Sequence, residues 1–211
     1  MFFLVLGLLL SAYMVGAIAW HRVLPKNVLT RRGTPAYLFL SYQMVSTSCV
    51  LYATYLGWMG VFYDYGTVYE DRLYGWSETS IRLGYMMTGY QAWNLIVCLF
   101  IDEYCTFQFL SHHFSAAVLS AMTLTHYLNV YALFFSGIAE TSTIPLSIIN
   151  IIKCMDLNFP RLMVASQVTF AVLFMVFRVA AWTIVSLLFW YDTISRYPNI
   201  PNLGALFCIG T

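Results

Sequence analysis

Residues 162–190 read LMVASQVTFAVLFMVFRVAAWTIVSLLFW, a run in which Arg178 is the one charge. A helix that crosses the hydrocarbon core needs about 20 predominantly apolar residues, and this run exceeds that length. Working outward from it, comparable apolar runs lie near 1–20, 36–62, 81–101, 105–128 and 131–152. Composition agrees. Of 211 residues 61% are hydrophobic and 9% charged, against about 25% charged in a soluble domain. The expected fold class is therefore all-α, a polytopic transmembrane helical bundle of six spans. A seventh begins at Gly204, after the turn-rich 197–202, but only eight residues remain to Thr211, too few to cross. It is read as an incomplete seventh span. The first run ends in Ala17-Ile18-Ala19, which has the small-residue pattern of a signal-peptide cleavage site. No basic residue precedes the run, so a retained first helix is expected.

Charge placement orients the bundle. The connection 21–34 holds Arg22, Lys26, Arg31 and Arg32 without an acid, whereas 63–80 holds Asp64, Glu70, Asp71 and Glu78 against Arg72. The positive-inside rule places the first connection on the cytoplasmic side. Alternation then puts 102–104 and 153–161 inside and the turn near Tyr127–Val130 outside. Trp58, Tyr63, Trp76, Trp190 and Tyr191 near span ends suit an interfacial aromatic belt.

Ionisable groups are costly in hydrocarbon, so the informative positions are those that interrupt apolar runs: His112, His113, His126, Glu140 and Arg178, with Asn94 as a neutral companion. At about 1.5 Å of rise per residue, Glu140 lies roughly 17 Å from the outer turn, Arg178 roughly 18 Å and His113 roughly 24 Å. Glu140 and Arg178 thus share a level and can pair between the fifth and sixth spans. The pair either lines a polar chamber with His113 or only locks two helices together. Adjacent helical residues differ by about 100° in direction, so one of His112 and His113 faces the interior squarely. That histidine acts as a general base supported by the other, or both are interfacial without chemistry. His126, near the outer turn, reads as interfacial.

Several functions are excluded. A net charge of +1 gives no basic field for nucleic acid. Cys49, Cys98, Cys105, Cys154 and Cys208 are far apart, with neither a CxxC nor zinc spacing. A retinal Schiff base needs a lysine within a span, and Lys26 and Lys153 fall in connections. Four histidines are too few for a membrane di-iron site, and His113 and His126 stand roughly 20 Å apart along one helix. No metal site is expected. Small residues at Ala116 and Ser120, and at Ala117 and Ala121, favour close helix approach. Gly137 does the same in the fifth span, where Pro145 is expected to bend the helix.

Ser111-His112-His113-Phe114, then Glu140-Thr141-Ser142-Thr143-Ile144-Pro145, then Phe174-Met175-Val176-Phe177-Arg178, in successive spans, together resemble the TLC-domain family, which includes ceramide synthases and the TLC-domain-containing proteins. Gly89-Tyr90-Gln91-Ala92-Trp93-Asn94-Leu95 is similar to the family's third-span segment, in which an Asp usually stands at the position of Asn94. The resemblance covers roughly 36–190. It implies six helices around a cytoplasm-facing cavity with one extra helix, hence residues 1–35 as a first helix and basic connection and 36–211 as a TLC-like domain. It also implies a location in the endoplasmic reticulum, although other organelle membranes fit the residues equally.

In ceramide synthases a histidine pair serves acyl transfer from acyl-CoA to a sphingoid amine. By position His112 and His113 would be that pair, with Glu140, Arg178, Asn94 and Ser142 contacting substrate. Membrane lipids and acyl-CoA are the implied ligands, and no separate cofactor is. This sequence departs from ceramide synthases at Ala116, where a Thr is usual, and in the later stretch, where Glu140-Thr141-Ser142-Thr143 replaces a His-Asp pair and further acids. Asn94 cannot act as an acid or base. The pattern is closer to the TLC-domain-containing proteins, which are associated with membrane lipid composition. The alternative is a non-catalytic TLC-fold subunit of a larger membrane complex, covered by a protein partner.

Overall fold

The computed structural model describes residues 1–25, 27–64 and 71–196. The turn at 197–202 and the incomplete span from Gly204, like Lys26, Glu70 and Cys208, lie outside the described residues. Helices occupy all six expected spans: α1 Phe2–Val23, α2 Ala36–Tyr63, α3 Glu78–Val97, α4 Phe107–Met122, α5 Asn129–Cys154 and α6 Pro160–Ser195. Ser77 caps α3 by accepting from the Ser80 N–H, Thr106 caps α4 by accepting from the Phe109 N–H, and Pro160 opens α6. Each of these choices satisfies or removes an otherwise orphaned amide at a helix start.

Four of the helices, α1, α2, α5 and α6, are long and apolar enough to cross a membrane. The other two depart from that standard. α4 has only 16 residues, about 24 Å of helix. α3 is diluted by Ser80, Gln91 and Asn94, all buried. It packs against α1, α2, α4 and α5, so protein rather than lipid surrounds much of it and its polar side chains can find partners. At its centre Trp93 is fully buried and stacks on Tyr42 of α2, with centroids 5.2 Å apart.

The connections fall into two sets, as the charge pattern requires. On the inner side the Glu103 carboxylate accepts from the hydroxyls of Thr30 and Thr34, and the Arg31 N–H donates to the carbonyl of Cys154 at 3.0 Å. On the outer side Arg72 makes two 2.8 Å bonds to Asp192, Arg196 reaches Asp71 at 2.9 Å, and the Ser77 N–H donates to Asn129 Oδ1 at 2.7 Å. Each set ties together segments that alternation assigns to one face.

α2 and α5 cross backbone to backbone. A Cβ on Gly57 would lie 2.6 Å from the Ile138 nitrogen, and one on Gly137 would lie 2.6 Å from the Gly57 Cα. α5 is irregular there. It widens to a π turn over Leu133–Gly137, tightens to 3-10 over Ile138–Ser142, and becomes regular from Thr143. Pro145 has no N–H for the Thr141 carbonyl and its ring crowds that carbonyl; the irregular turns lie over Leu133–Ser142, ahead of Pro145, which itself sits in the regular segment. α6 carries a second π segment, Met175–Ala181, around Arg178. The small-residue face of α4 is shorter than expected: Ser120 is buried but Ala121 is exposed.

Two outcomes are expected from this packing. Gly57→Ala should destabilise the fold by about 1–3 kcal/mol, read as a lower Tm in detergent. Gly7→Ala, where a Cβ meets nothing within 4 Å, should not. For Glu103, burial pushes the carboxyl up, but the bonds from Thr30, Thr34 and the Arg32 N–H outweigh it, so its pKa lies below the ordinary 4.5. A carboxylate lowered by folding stabilises the folded state above its unfolded pKa and loses that contribution as pH falls through the folded value. Between pH 4.5 and the lower folded value, the Tm of wild type should therefore fall more steeply than that of Glu103→Gln in a melting series.

Candidate functional site

Five of the six helices, α2 to α6, together with the α3–α4 connection, enclose a cavity of about 310 Å³. Its inner end is set by Gln43, Tyr104 and Asn150, near the inner ends of α2, α4 and α5. Its deep end is set by Glu140, Ser142, Thr143 and Arg178, and Phe170 and Phe174 of α6 form an apolar wall between. At helical rise, Glu140 lies about 21 Å and Arg178 about 27 Å from the inner ends of their helices. The cavity thus runs from the inner surface to the middle of the bundle.

The two charged groups at the deep end meet. Arg178 Nη2 donates to Glu140 Oε1 at 2.9 Å, and Nε donates to the Ser142 hydroxyl at 3.2 Å. Thr143 donates to the second Glu140 oxygen at 2.7 Å. The side chains are 25% and 17% exposed, so the pair borders the cavity instead of being sealed between helices. Ser142 also donates to the Ala139 carbonyl at 3.1 Å. Its hydroxyl is thereby occupied on both sides and holds Arg178 in position.

His112 and His113 diverge as two adjacent helical residues must. Both border the cavity, but His113 is buried and His112 is exposed, with the rings edge to face at 5.2 Å. His113 Nδ1 is hydrogen-bonded to Gln91 Oε1 of α3. An amide oxygen only accepts, so in this contact Nδ1 is the donor. Phe109, one turn earlier, packs on the ring at 4.2 Å and fixes its plane.

Asn94 does not line the cavity. It is fully buried behind the wall, accepting from the Tyr42 hydroxyl at 2.6 Å and donating to the Tyr90 carbonyl at 3.1 Å. In this position its amide holds two tyrosines, one through the oxygen and one through the nitrogen. His126 lies outside the cavity lining, its ring tilted against that of Trp76 with centroids 4.1 Å apart. The wall itself contains residues that a search for ionisable groups passes over: Tyr42, Gln43, Ser46, Tyr90, Gln91 and Tyr104. They bond to one another, Ser46 with Tyr90 at 2.6 Å and Gln43 with Tyr104. A signal was present in the Tyr-Gln pairs at 42–43 and 90–91, uncharged polar dipeptides within two apolar spans.

A family model for the TLC domain matches residues 35–211. The chain belongs to the TLC-domain family. The match begins at the residue that precedes α2 and leaves α1 outside. Neither the curated proteins nor the solved structures yield a match. The TLC assignment makes this a multi-pass integral membrane protein of a lipid-related family, and the quoted segments of α3, α4, α5 and α6 all contribute to the cavity wall or its support.

In this TLC-domain protein the Glu140–Arg178 pair can be tested by a double-mutant cycle. Glu140→Gln should cost about 1–3 kcal/mol, less than the 3–5 kcal/mol of a fully buried broken pair because both groups keep some exposure. Adding Arg178→Met should recover part of the loss, since the uncompensated guanidinium is removed. Thermal unfolding of the two single variants and the double checks this, and simple additivity would contradict the pairing.

Proposed function

We propose that this protein takes a lipid acyl chain into the cavity between α2 and α6, and that His113 serves acyl transfer there. The observation that carries the reading is a single cavity lined by a buried histidine held by Gln91, by the Glu140–Arg178 ion pair and by the apolar Phe170 and Phe174. A volume of about 310 Å³ corresponds to roughly ten waters at about 30 Å³ each. It suits a reacting carbonyl with the first part of its chain and leaves a nucleotide outside. The inner surface suits the phosphates of acyl-CoA, with six Lys and Arg against three carboxylates over 21–35, 101–106 and 153–161.

In the proposed reaction, His113 Nε2 takes the proton of an amine or hydroxyl as its nitrogen or oxygen attacks the acyl carbonyl. The tetrahedral intermediate collapses with cleavage of the carbon–sulfur bond, and the same proton passes to the departing thiol. His112 supports the charge change from the cavity mouth, while Glu140 and Arg178 orient the polar end of the acceptor lipid. The endoplasmic reticulum is the membrane proposed from the family resemblance.

A second reading has a specific observation behind it. The most hydropathic window of α6 is only 6% buried, a face that a protein partner would cover if the chain is a non-catalytic subunit. Blue-native electrophoresis separates the two: a larger native assembly without turnover favours the subunit.

The direct test supplies labelled acyl-CoA to purified protein. Label should be transferred to an amine or hydroxyl lipid, or retained tightly, with wild type, and His113→Ala should reduce transfer by about 100-fold or more. Absence of bound lipid, together with an unchanged cellular lipidome on His113→Ala, would overturn the proposal.

A further inference from the structure

A second concavity, sharing no lining residue with the first, lies between the inner ends of α1 and α2. It is formed partly by α1, which stands outside the matched TLC domain. The two helices touch deeper in the bilayer, where Ser41 of α2 donates to the Tyr13 carbonyl at 3.1 Å and packs on Gly16. Toward the inner surface they leave a groove with Ala17 as its floor and Met14, Ile18 and Leu38 as its apolar sides. Its mouth is polar, with His21, Arg22 and Tyr37. The His21 and Tyr37 rings meet edge to face at 5.0 Å.

We propose that this groove binds an anionic phospholipid of the surrounding inner leaflet, with its phosphate on Arg22 and one acyl chain along Met14, Ile18 and Leu38. The argument rests on three features. First, the groove follows the helix axis for about 12 Å from residue 22 to residue 14, the direction in which acyl chains already lie. Met14 and Ile18 are 57% and 52% exposed along it. Second, the charge is complementary. Arg31 faces Asp156 and Arg32 binds the Glu103 segment, whereas Arg22 has no carboxylate within bonding distance among the described residues. The inner connections carry six Lys and Arg against three carboxylates. Third, the polar mouth and apolar body are joined in the order a phospholipid presents them at the interface. The last carbonyls of α1 oppose an anion, so the phosphate must approach from the guanidinium side, toward Tyr37. An acidic peptide would match the charge but would gain nothing from a strip at acyl-chain depth.

The experiment uses the full chain in nanodiscs of phosphatidylcholine with a minor fraction of phosphatidic acid, followed by native mass spectrometry of the lipids retained on release. Wild type should retain phosphatidic acid in preference to phosphatidylcholine. Arg22→Gln should lower that retention by about fivefold or more. Ala17→Leu, which fills the floor, should lower it with the charge intact. Arg31→Gln removes the same charge from the same surface away from the groove and should have a clearly smaller effect. Equal retention of both lipids, or equal losses for Arg22→Gln and Arg31→Gln, overturns the site in favour of diffuse surface attraction. A dimer that retains neither lipid overturns it in favour of a second copy. Ala17→Leu should leave acyl transfer from labelled acyl-CoA unchanged, because Ala17 lines only this groove, so the failure of this site and that of the acyl-transfer reading are separate.

Discussion

Hydrocarbon does not tolerate an isolated guanidinium, and Arg178 stands near the middle of an apolar helix of 36 residues. Much of the architecture can be understood as the accommodation of that one group. It needs a carboxylate at its own depth, and Glu140 supplies it from the neighbouring helix. It also needs acceptors for its remaining donors, which the hydroxyls of Ser142 and Thr143 provide. The three partners fall within four residues of α5, and a regular helix would spread residues 140, 142 and 143 around its circumference by about 100° per step. The 3-10 tightening of Ile138–Ser142 and the π widening of Met175–Ala181 are the local distortions that bring both sides of the pair together. Such irregular turns are stable only where neighbours take up the freed backbone groups.

The Gly57–Gly137 crossing belongs to the same accommodation. Backbone contact between α2 and α5 draws the irregular part of α5 against the body of the bundle and turns the next turn, with Glu140, toward α6. Bulkier residues at the crossing would separate the helices and widen the distance the ion pair must span. Close packing at 57 and 137 and the cavity beside it lie on the same two helices: α2 contributes Tyr42, Gln43 and Ser46 to the lining, and α5 contributes Glu140 to Asn150.

Much of the fold was legible because hydrophobic length and charge asymmetry act over whole segments. Six helices occur where the apolar runs lie, and the loops group by face as alternation demands. The ion pair was legible too, since depth along a helix follows from counting residues. What escaped was the neutral part of the site. Tyr42, Gln43, Tyr90 and Gln91 cost much less to bury than a charge, so they do not announce themselves against an apolar background, and their role depends on rotational position that counting leaves open. Asn94 shows the converse error. Its depth and type suited a ligand contact, but tertiary packing places Tyr42 in front of it, and a buried amide is satisfied by its nearest partner. The distortions of α5 and α6 were likewise hidden: Pro145 marked a bend, but where the helix changed geometry depended on the contact with α2.

The division of labour in the wall follows from those energetics. A cavity lined by free charges would be expensive to form in a membrane and would bind water or ions in preference to lipid. Here the charges neutralise each other at the deep end, and six of the remaining polar side chains are bonded in pairs, Ser46 to Tyr90, Gln43 to Tyr104 and Gln91 to His113. Pairing keeps the empty cavity tolerable and leaves spare capacity, because an amide or hydroxyl that makes one bond can still make another. A further polar group can therefore be accepted without first separating ions. His113 is both buried and held in orientation, by Gln91 and by the Phe109 ring. Its neighbour His112, of the same chemistry but exposed, shows that the difference between them comes from the wall that α3 builds around residue 113, and not from residue type.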